Sequence, residues 1–393
     1  MNHTNTRLEK SVKIIDVRVT KFSHVTRKHA DSHGHSHPGP EKPATQAMLT
    51  VVAEDGHEGY AFQSPDVIRP SVVDKYLRPA LVGEDAFYRE RIWQNVEQRQ
   101  RGSSGQLADK ALSAMDQALW DLAGRALNLP VHRLIGGFRD KIAAYGSIMC
   151  GDDIPGGLAT PDDYGNFAQE LVSRGYTAIK LHTWMPPMPG APDPRNDVRA
   201  CAAVRKAVGP DIALMLDGYH WYNRSDALYI GKALEELDFL WFEEPMDEAS
   251  MSSYAWLSAN LSIPVIGPES MQGKYRTRAE WVRGNASDIL RTGMLSAGGL
   301  GPVLKTAHLA EANGMNCEIH GNGAANLALC MAVANCVYYE RGLLHPHLDY
   351  DQPPLYLNAI PDPMDGEGFV HASQLPGLGE DINFDYIRSH AID

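Results

Sequence analysis

The sequence predicts an α/β protein: a barrel of parallel strands with an α+β region in front of it and a short tail behind. Three observations lead there. Between residues 142 and 334, short apolar runs alternate with helical patterns about seven times with short connections, the order that closes parallel strands into a barrel. Ahead of them, strand patterns are followed by helical ones, an α+β signature. No GxGxxG follows the first strand, so the rival doubly wound open sheet lacks its usual mark.

The first region, residues 1–140, opens with alternating Val12, Ile14, Val17 and Val19. A polar segment follows, then Met48 to Val52 running into Glu54-Asp55-Gly56. This reads as an antiparallel pair around a long loop. Helical patterns come next over 72–81, 87–96 and 108–127, the last with Leu112, Met115, Leu119 and Leu122 at helical spacing. The barrel, residues 141–350, is read as strands at 142–145, 178–182, 213–217, 239–243, 264–269, 289–292 and 316–320, each followed by a helix. The tail, 351–393, is rich in Pro and Gly and is expected to pack back on the first region.

Composition narrows the function. With 44% hydrophobic and 22% charged residues over 393 positions, the chain is neither disordered nor fibrous. A net charge of −13 offers no basic excess for nucleic acid. No uncharged apolar run reaches the ~18 residues of a membrane span. The N-terminus has no apolar core ahead of a cleavage site, so a cytoplasmic protein is expected. Five scattered cysteines without a CxxC pair fit reduced thiols.

The polar residues that close the predicted strands carry the chemistry. They are Lys180 and His182, then Asp217, Glu243 and Glu269, then His320. The three carboxylates follow one another at equal steps of 26 residues, about one βα unit, so they reach equivalent positions on successive strands. Strand ends in such a barrel share one face. Converging carboxylates repel unless a cation lies between them, and hard oxygen ligands suit Mg²⁺ rather than zinc. Lys180 and His182, two apart, point the same way, while His320 arrives from the other side of the ring. A substrate held by the metal would have a candidate base on each face.

Over nearly its whole length the chain resembles the mandelate-racemase-like subgroup of the enolase superfamily. The likeness rests on AEDGHEGYAF (53–62), SAMDQALWDLAGRALNLPVHRLIGG (113–137), YTAIKLH (176–182), LMLDG (214–218), WFEEP (241–245), IPVIGPES (263–270), SAGGL (296–300), EIHGNGAAN (318–326) and PGLGED (376–381), in this order. The resemblance implies a modified TIM barrel, (β/α)₇β, capped by an α+β domain built from N- and C-terminal segments. It implies Mg²⁺ on Asp217, Glu243 and Glu269, a homo-oligomer, and a reaction that begins by removing the proton α to a carboxylate. In the family's Lys-x-Lys motif the first Lys contacts the carboxylate and the second is the base; here the second position is His182. The family's dyad Asp, five residues before the Gly pair, is here Gly293, so His320 is expected to lack a carboxylate partner and to serve as a general acid. Tyr219 stands where the family often has Asn, with His220 beside it.

These residues point to dehydration of a small acid sugar, an aldonate or aldarate. Lys180 would steady the enediolate, His182 or Lys180 would take the proton, and His320 would protonate the leaving hydroxyl. A sugar-lactone cycloisomerase and a racemase or epimerase are alternatives on the same fold, and a non-catalytic sugar-acid-binding barrel is a weaker one. The segment with His29, His33, His35 and His37, near Lys21 and Lys28, is read as a loop closing over the substrate rather than as a second metal site. The Pro-rich insertion from Trp184 to Arg195 is expected to add another wall, and Trp221 and Tyr222 to pack rather than stack on sugar.

Overall fold

The computed structural model describes residues 11–392; the sequence reading of the first ten residues lies outside them. Eight parallel strands form the barrel: β4 (Lys141–Ile148), β5 (Ala178–His182), β6 (Ala213–Asp217), β7 (Trp241–Glu243), β8 (Val265–Ile266), β9 (Leu290–Gly293), β10 (Cys317–His320) and β11 (Tyr338–Leu344). Continuous pairing runs β11–β4–β5–β6–β7–β8, and β9 pairs with β10. A single bridge, Ile266 to Ile289, ties β8 to the β9 end. A helix follows each strand but the last, which is the (β/α)₇β arrangement. The helices begin where the sequence provides caps. Thr160 and Asp163 form a capping box ahead of helix Pro161–Ser173, and Asp193 accepts from Arg195 and Asn196 ahead of helix Pro194–Val208. All five cysteines are unpaired and buried.

The capping sheet holds β1 (Ile14–Ala30), β2 (Ser36–Ala53) and β3 (Glu58–Gln63) in antiparallel order. Here the structure departs from the expected long loop. The polar segment continues both strands as one hairpin, with Val17 opposite Val51 and Ala30 opposite Ser36. Only the first half of the hairpin covers the apolar core, so only that half alternates in hydrophobicity. Leu112, Met115, Leu119 and Leu122 of helix Asp109–Leu127 are fully buried in that core. Gly59 lets the helix sit against β3, because a Cβ there would lie 2.1 Å from the Ala118 carbonyl oxygen.

The tail returns to both layers. β12 (Phe369–His371) runs antiparallel to β4, and β13 (Ala391–Ile392) pairs with β1 at Lys21 and Phe22. Among the described residues no helix is long and apolar enough to cross a membrane.

Candidate active site

Strand alternation decides which side chains meet inside the barrel. Tyr145, Ala178, Met215, Trp241 and Ile266 pack together as an apolar floor. Two residues further along β5, β6 and β7 stand Lys180, Asp217 and Glu243, facing the same way and one layer nearer the strand ends. Across the strands, His182 is in register with Asp217, and Asp217 with Glu243.

Above the floor lies a buried network of opposite charges. The Lys180 ammonium donates to Asp217 Oδ2 at 3.1 Å and Glu243 Oε1 at 2.9 Å, and lies 3.1 Å from Glu340 Oε1. Arg291, fully buried on β9, reaches Glu243 Oε1 at 2.8 Å, Glu269 Oε2 at 3.2 Å and Glu340 Oε2 at 2.8 Å, and donates to the Tyr145 hydroxyl at 3.1 Å. Burial disfavours the Glu340 carboxylate, but Lys180 and Arg291 hold its carboxyl well below the usual range. Burial pushes Glu243 up to about 7, with the like charges of Asp217 and Glu269 adding to the rise against the pull of Arg291 and Lys180.

Neither Arg291 nor Glu340 was among the residues singled out from the sequence. Glu340 lies on the eighth strand, whose run Tyr338–Leu344 follows no 26-residue step. Glu244, the second acid of WFEEP, is a third such residue. Its Oε1 is buried without a hydrogen-bond partner. Burial, then the charges of Glu269, Glu248 and Asp217, push its carboxyl well above the ordinary range. Glu248 fixes the next turn by accepting from the backbone N–H groups of Glu269 and Ser270.

The two histidines are held differently. His182 is buried, and its Nδ1 donates to the Ile148 carbonyl at 2.6 Å. A carbonyl can only accept, so the exchangeable site of the ring is Nε2, which lies 3.0 Å from Asp217 Oδ2. Tyr164 donates to the His182 carbonyl at 2.7 Å and fixes its backbone. Burial alone would lower the imidazole pKa, but Asp217 outweighs it and raises the value.

His320 corrects an expectation. It does not lack a carboxylate: its Nδ1 lies 3.1 Å from Glu269 Oε1, while the side chain stays 44% exposed. Gly293 is part of that arrangement, since a Cβ there would come within 3.1 Å of both His320 Cβ and Nδ1.

These groups open onto a cavity of about 490 Å³. Asp217, Glu244, Glu269 and Glu340 line it together with His182 and His320, whereas Lys180 and Glu243 lie beneath its surface. The capping domain supplies Lys28 and Ser36 from the hairpin, with Phe62 and Gln117 behind them, so the segment read as a covering loop does reach the site, as strands. His220 also lines the cavity, its Nδ1 3.9 Å from Glu244 Oε2. The insertion after β5 does not form the expected wall. No residue of 184–195 lines the cavity, and Trp184 instead packs edge-on against Tyr164 in the helical layer. Tyr222 is buried and donates to Asp197 at 2.9 Å, a packing role as expected.

Comparison with known proteins accounts for this layout. The family description "Enolase C-terminal domain-like" matches residues 163–386, and "Mandelate racemase / muconate lactonizing enzyme, N-terminal domain" matches 39–136. The chain belongs to the enolase superfamily. Among solved structures, this superfamily member is similar to D-glucarate dehydratase from Agrobacterium tumefaciens complexed with magnesium. The identity is 58%, with a TM-score of 0.96, over 98% of this chain and 100% of the other. Among curated relatives, L-talarate/galactarate dehydratase of Salmonella typhimurium is 30% identical over 72% of this chain and 70% of its own length. D-galactarolactone cycloisomerase of Agrobacterium fabrum is 30% identical over 86% of this chain and 89% of its own.

Proposed function

We propose that this enolase-superfamily member dehydrates an acid sugar, an aldarate or aldonate, with Mg²⁺ held by Asp217, Glu243 and Glu269. The donor set fits a hard divalent cation. Four carboxyl groups, those of Asp217, Glu243, Glu269 and Glu340, gather around two permanent cations, Lys180 and Arg291, and a fifth, Glu244, adds to the acidic side of the site. The Lys180 ammonium bridges Asp217 and Glu243 and the Arg291 guanidinium bridges Glu243 and Glu269, so the three acids are arranged about positive charge. All donors are oxygens, which favours magnesium over softer ions. The magnesium in the 58% identical dehydratase structure supports the same choice. When bound, Mg²⁺ supplies Lewis-acid stabilisation of the charge that develops on the substrate carboxylate.

The chain's own residues supply the proton transfers. The Ile148 carbonyl pins His182 Nδ1–H, leaving Nε2 as the atom that takes the α-proton. Lys180, two residues earlier on the same face and beneath the cavity surface, adds its charge to the field that acts on the enediolate. His320 has Nδ1 engaged by Glu269, so its other nitrogen is free to pass a proton to the departing β-hydroxyl, an otherwise poor leaving group. Lys28 and Ser36 of the hairpin, with Phe62 of β3 and Gln117 of helix Asp109–Leu127, line the cavity from the capping side.

One observation carries the reading. A buried, tautomer-fixed imidazole and a second, more exposed one backed by a carboxylate face a common cavity from β5 and β10. Two unlike histidines suit one proton removal and one protonation better than the matched pair a racemase needs. The cycloisomerase relative keeps lactone opening as the second reading, because elimination of a ring oxygen needs the same two groups. Incubating aldarates, aldonates and their lactones with Mg²⁺ in D₂O and following ¹H NMR separates these outcomes. A 2-keto-3-deoxy acid formed from an open-chain sugar acid is the expected result. Deuterium at C2 with the skeleton intact would overturn dehydration.

A further inference from the structure

Outside the carboxylate centre, three ligating side chains bring their ligand atoms within 4.8 Å of one another: Asp31, His35 and His37, at the tip of the β1–β2 hairpin. Asp31 is locked in place because its Oδ1 accepts from the backbone N–H groups of His33 at 2.8 Å and His35 at 3.0 Å. Its other oxygen, Oδ2, faces two imidazole nitrogens, His35 Nδ1 and His37 Nε2, each at 3.1 Å. His35 is 3% exposed, and its second nitrogen, Nε2, is buried without a hydrogen-bond partner. The ring stands edge-to-face on Tyr219 with centroids 4.3 Å apart, and Tyr219 in turn meets His182 at 5.9 Å.

Neither neutral tautomer of His35 satisfies both ring nitrogens by plain hydrogen bonding. A proton on Nδ1 satisfies Asp31 but leaves Nε2 as a buried bare acceptor. A proton on Nε2 can be directed at the tyrosine ring, but then the Nδ1 lone pair faces a carboxylate lone pair across 3.1 Å. A metal ion between them removes the conflict. Two imidazole nitrogens and one carboxylate oxygen are a borderline-soft set, suited to zinc and unlike the all-oxygen centre below. The spacing also fits. Zinc bonds of about 2.0–2.1 Å in a tetrahedron put neighbouring ligand atoms roughly 3.3 Å apart. The two His–Asp separations are 3.1 Å, and all three ligand atoms lie within 4.8 Å of one another. Asp31 and His37 are only partly buried, so an ion has a way in.

We propose that Asp31, His35 and His37 bind a zinc-class divalent ion that pins the hairpin tip, through His35 and Tyr219, onto the barrel mouth. The test uses the full chain saturated with Mg²⁺, with Zn²⁺ followed by calorimetry and Co²⁺ by its visible d–d absorption. One equivalent of Zn²⁺ per chain beyond the magnesium is expected at micromolar concentration, and Co²⁺ should give a tetrahedral spectrum. His37→Gln, at the hairpin surface, and His35→Ala should each weaken that binding at least tenfold, with circular dichroism confirming that both variants are folded. Asp217→Asn, which disables the magnesium centre, should leave it in place. The proposal is overturned if Mg²⁺-saturated protein binds no Zn²⁺ or Co²⁺. Binding that survives His37→Gln and His35→Ala, or disappears with Asp217→Asn, would overturn it equally.

Discussion

Replacing Arg291 by Met should move stability and metal affinity in opposite directions. The guanidinium is fully buried and contacts Glu243 and Glu340 at 2.8 Å and Glu269 at 3.2 Å. Removing one partner of a buried ion pair costs about 3–5 kcal/mol, because the abandoned charge stays in low dielectric. Lys180 still meets Glu243 and Glu340, so the lower figure, about 3 kcal/mol, applies. An unfolding entropy of about 2.1 cal/mol/K per residue, taken over 393 residues, amounts to roughly 0.8 kcal/mol/K, which makes the loss about 4 °C in Tm. The same change removes a positive charge from the edge of the proposed magnesium site. At an effective dielectric near 20, a unit charge within about 10 Å of a divalent ion repels it by ~3 kcal/mol, so Mg²⁺ should bind at least about tenfold tighter. Thermal unfolding in EDTA and magnesium calorimetry read the two effects. An unchanged Tm, or weaker Mg²⁺ binding, would refute the view of Arg291 as an internal stand-in for cationic charge.

Three further outcomes follow from the same contacts. Glu243→Gln should weaken Mg²⁺ binding by roughly a hundredfold or more, whereas Glu244→Gln should change it little, because burial and the neighbouring acids push the Glu244 carboxyl well above the ordinary range and favour its neutral form; calorimetry on both variants decides this. Because Asp217 raises the His182 pKa in the folded chain, the stability that pair contributes to metal-free protein is fully present below the unfolded value near 6.5 and is lost as pH rises through the higher folded value. Mg²⁺ competes with that imidazolium for Asp217, so its affinity should increase over the same rise and its binding should release protons, measurable in buffers of different ionisation enthalpy. Gly293→Ala should crowd His320, whose Cβ and Nδ1 lie 3.1 Å from the new methyl position. A cost of about 1–3 kcal/mol is expected, with a larger loss of kcat than of Mg²⁺ affinity; unchanged turnover would show that His320 does not depend on that clearance.

The proposed metal acids were legible because each closes a strand and the strands repeat at equal intervals. Lys180 and His182 were legible because alternation makes residues two apart neighbours. Arg291 sits inside the predicted strand 289–292, where a charge in a short strand reads as a surface residue until the barrel turns it inward onto Glu243, Glu269 and Glu340. Glu340 escaped because the step from His320 is shorter than the βα repeat and its strand interleaves aromatic and charged residues. The outer half of the hairpin has no hydrophobic alternation to read, because it spans the barrel mouth instead of covering the capping core. The supposed isolation of His320 failed for a reason outside sequence spacing. Glu269, placed by its own strand among the proposed metal acids, also reaches the imidazole.

The division of labour between the two histidines is the centre of the account, and isotope exchange in a His320→Asn variant tests it most directly. In D₂O with Mg²⁺, this variant should still place deuterium at C2 of the sugar acid through His182 while forming little or no 2-keto-3-deoxy product. His182→Gln should do neither. Exchange lost in His320→Asn but kept in His182→Gln would reverse the roles assigned to them and contradict the mechanism.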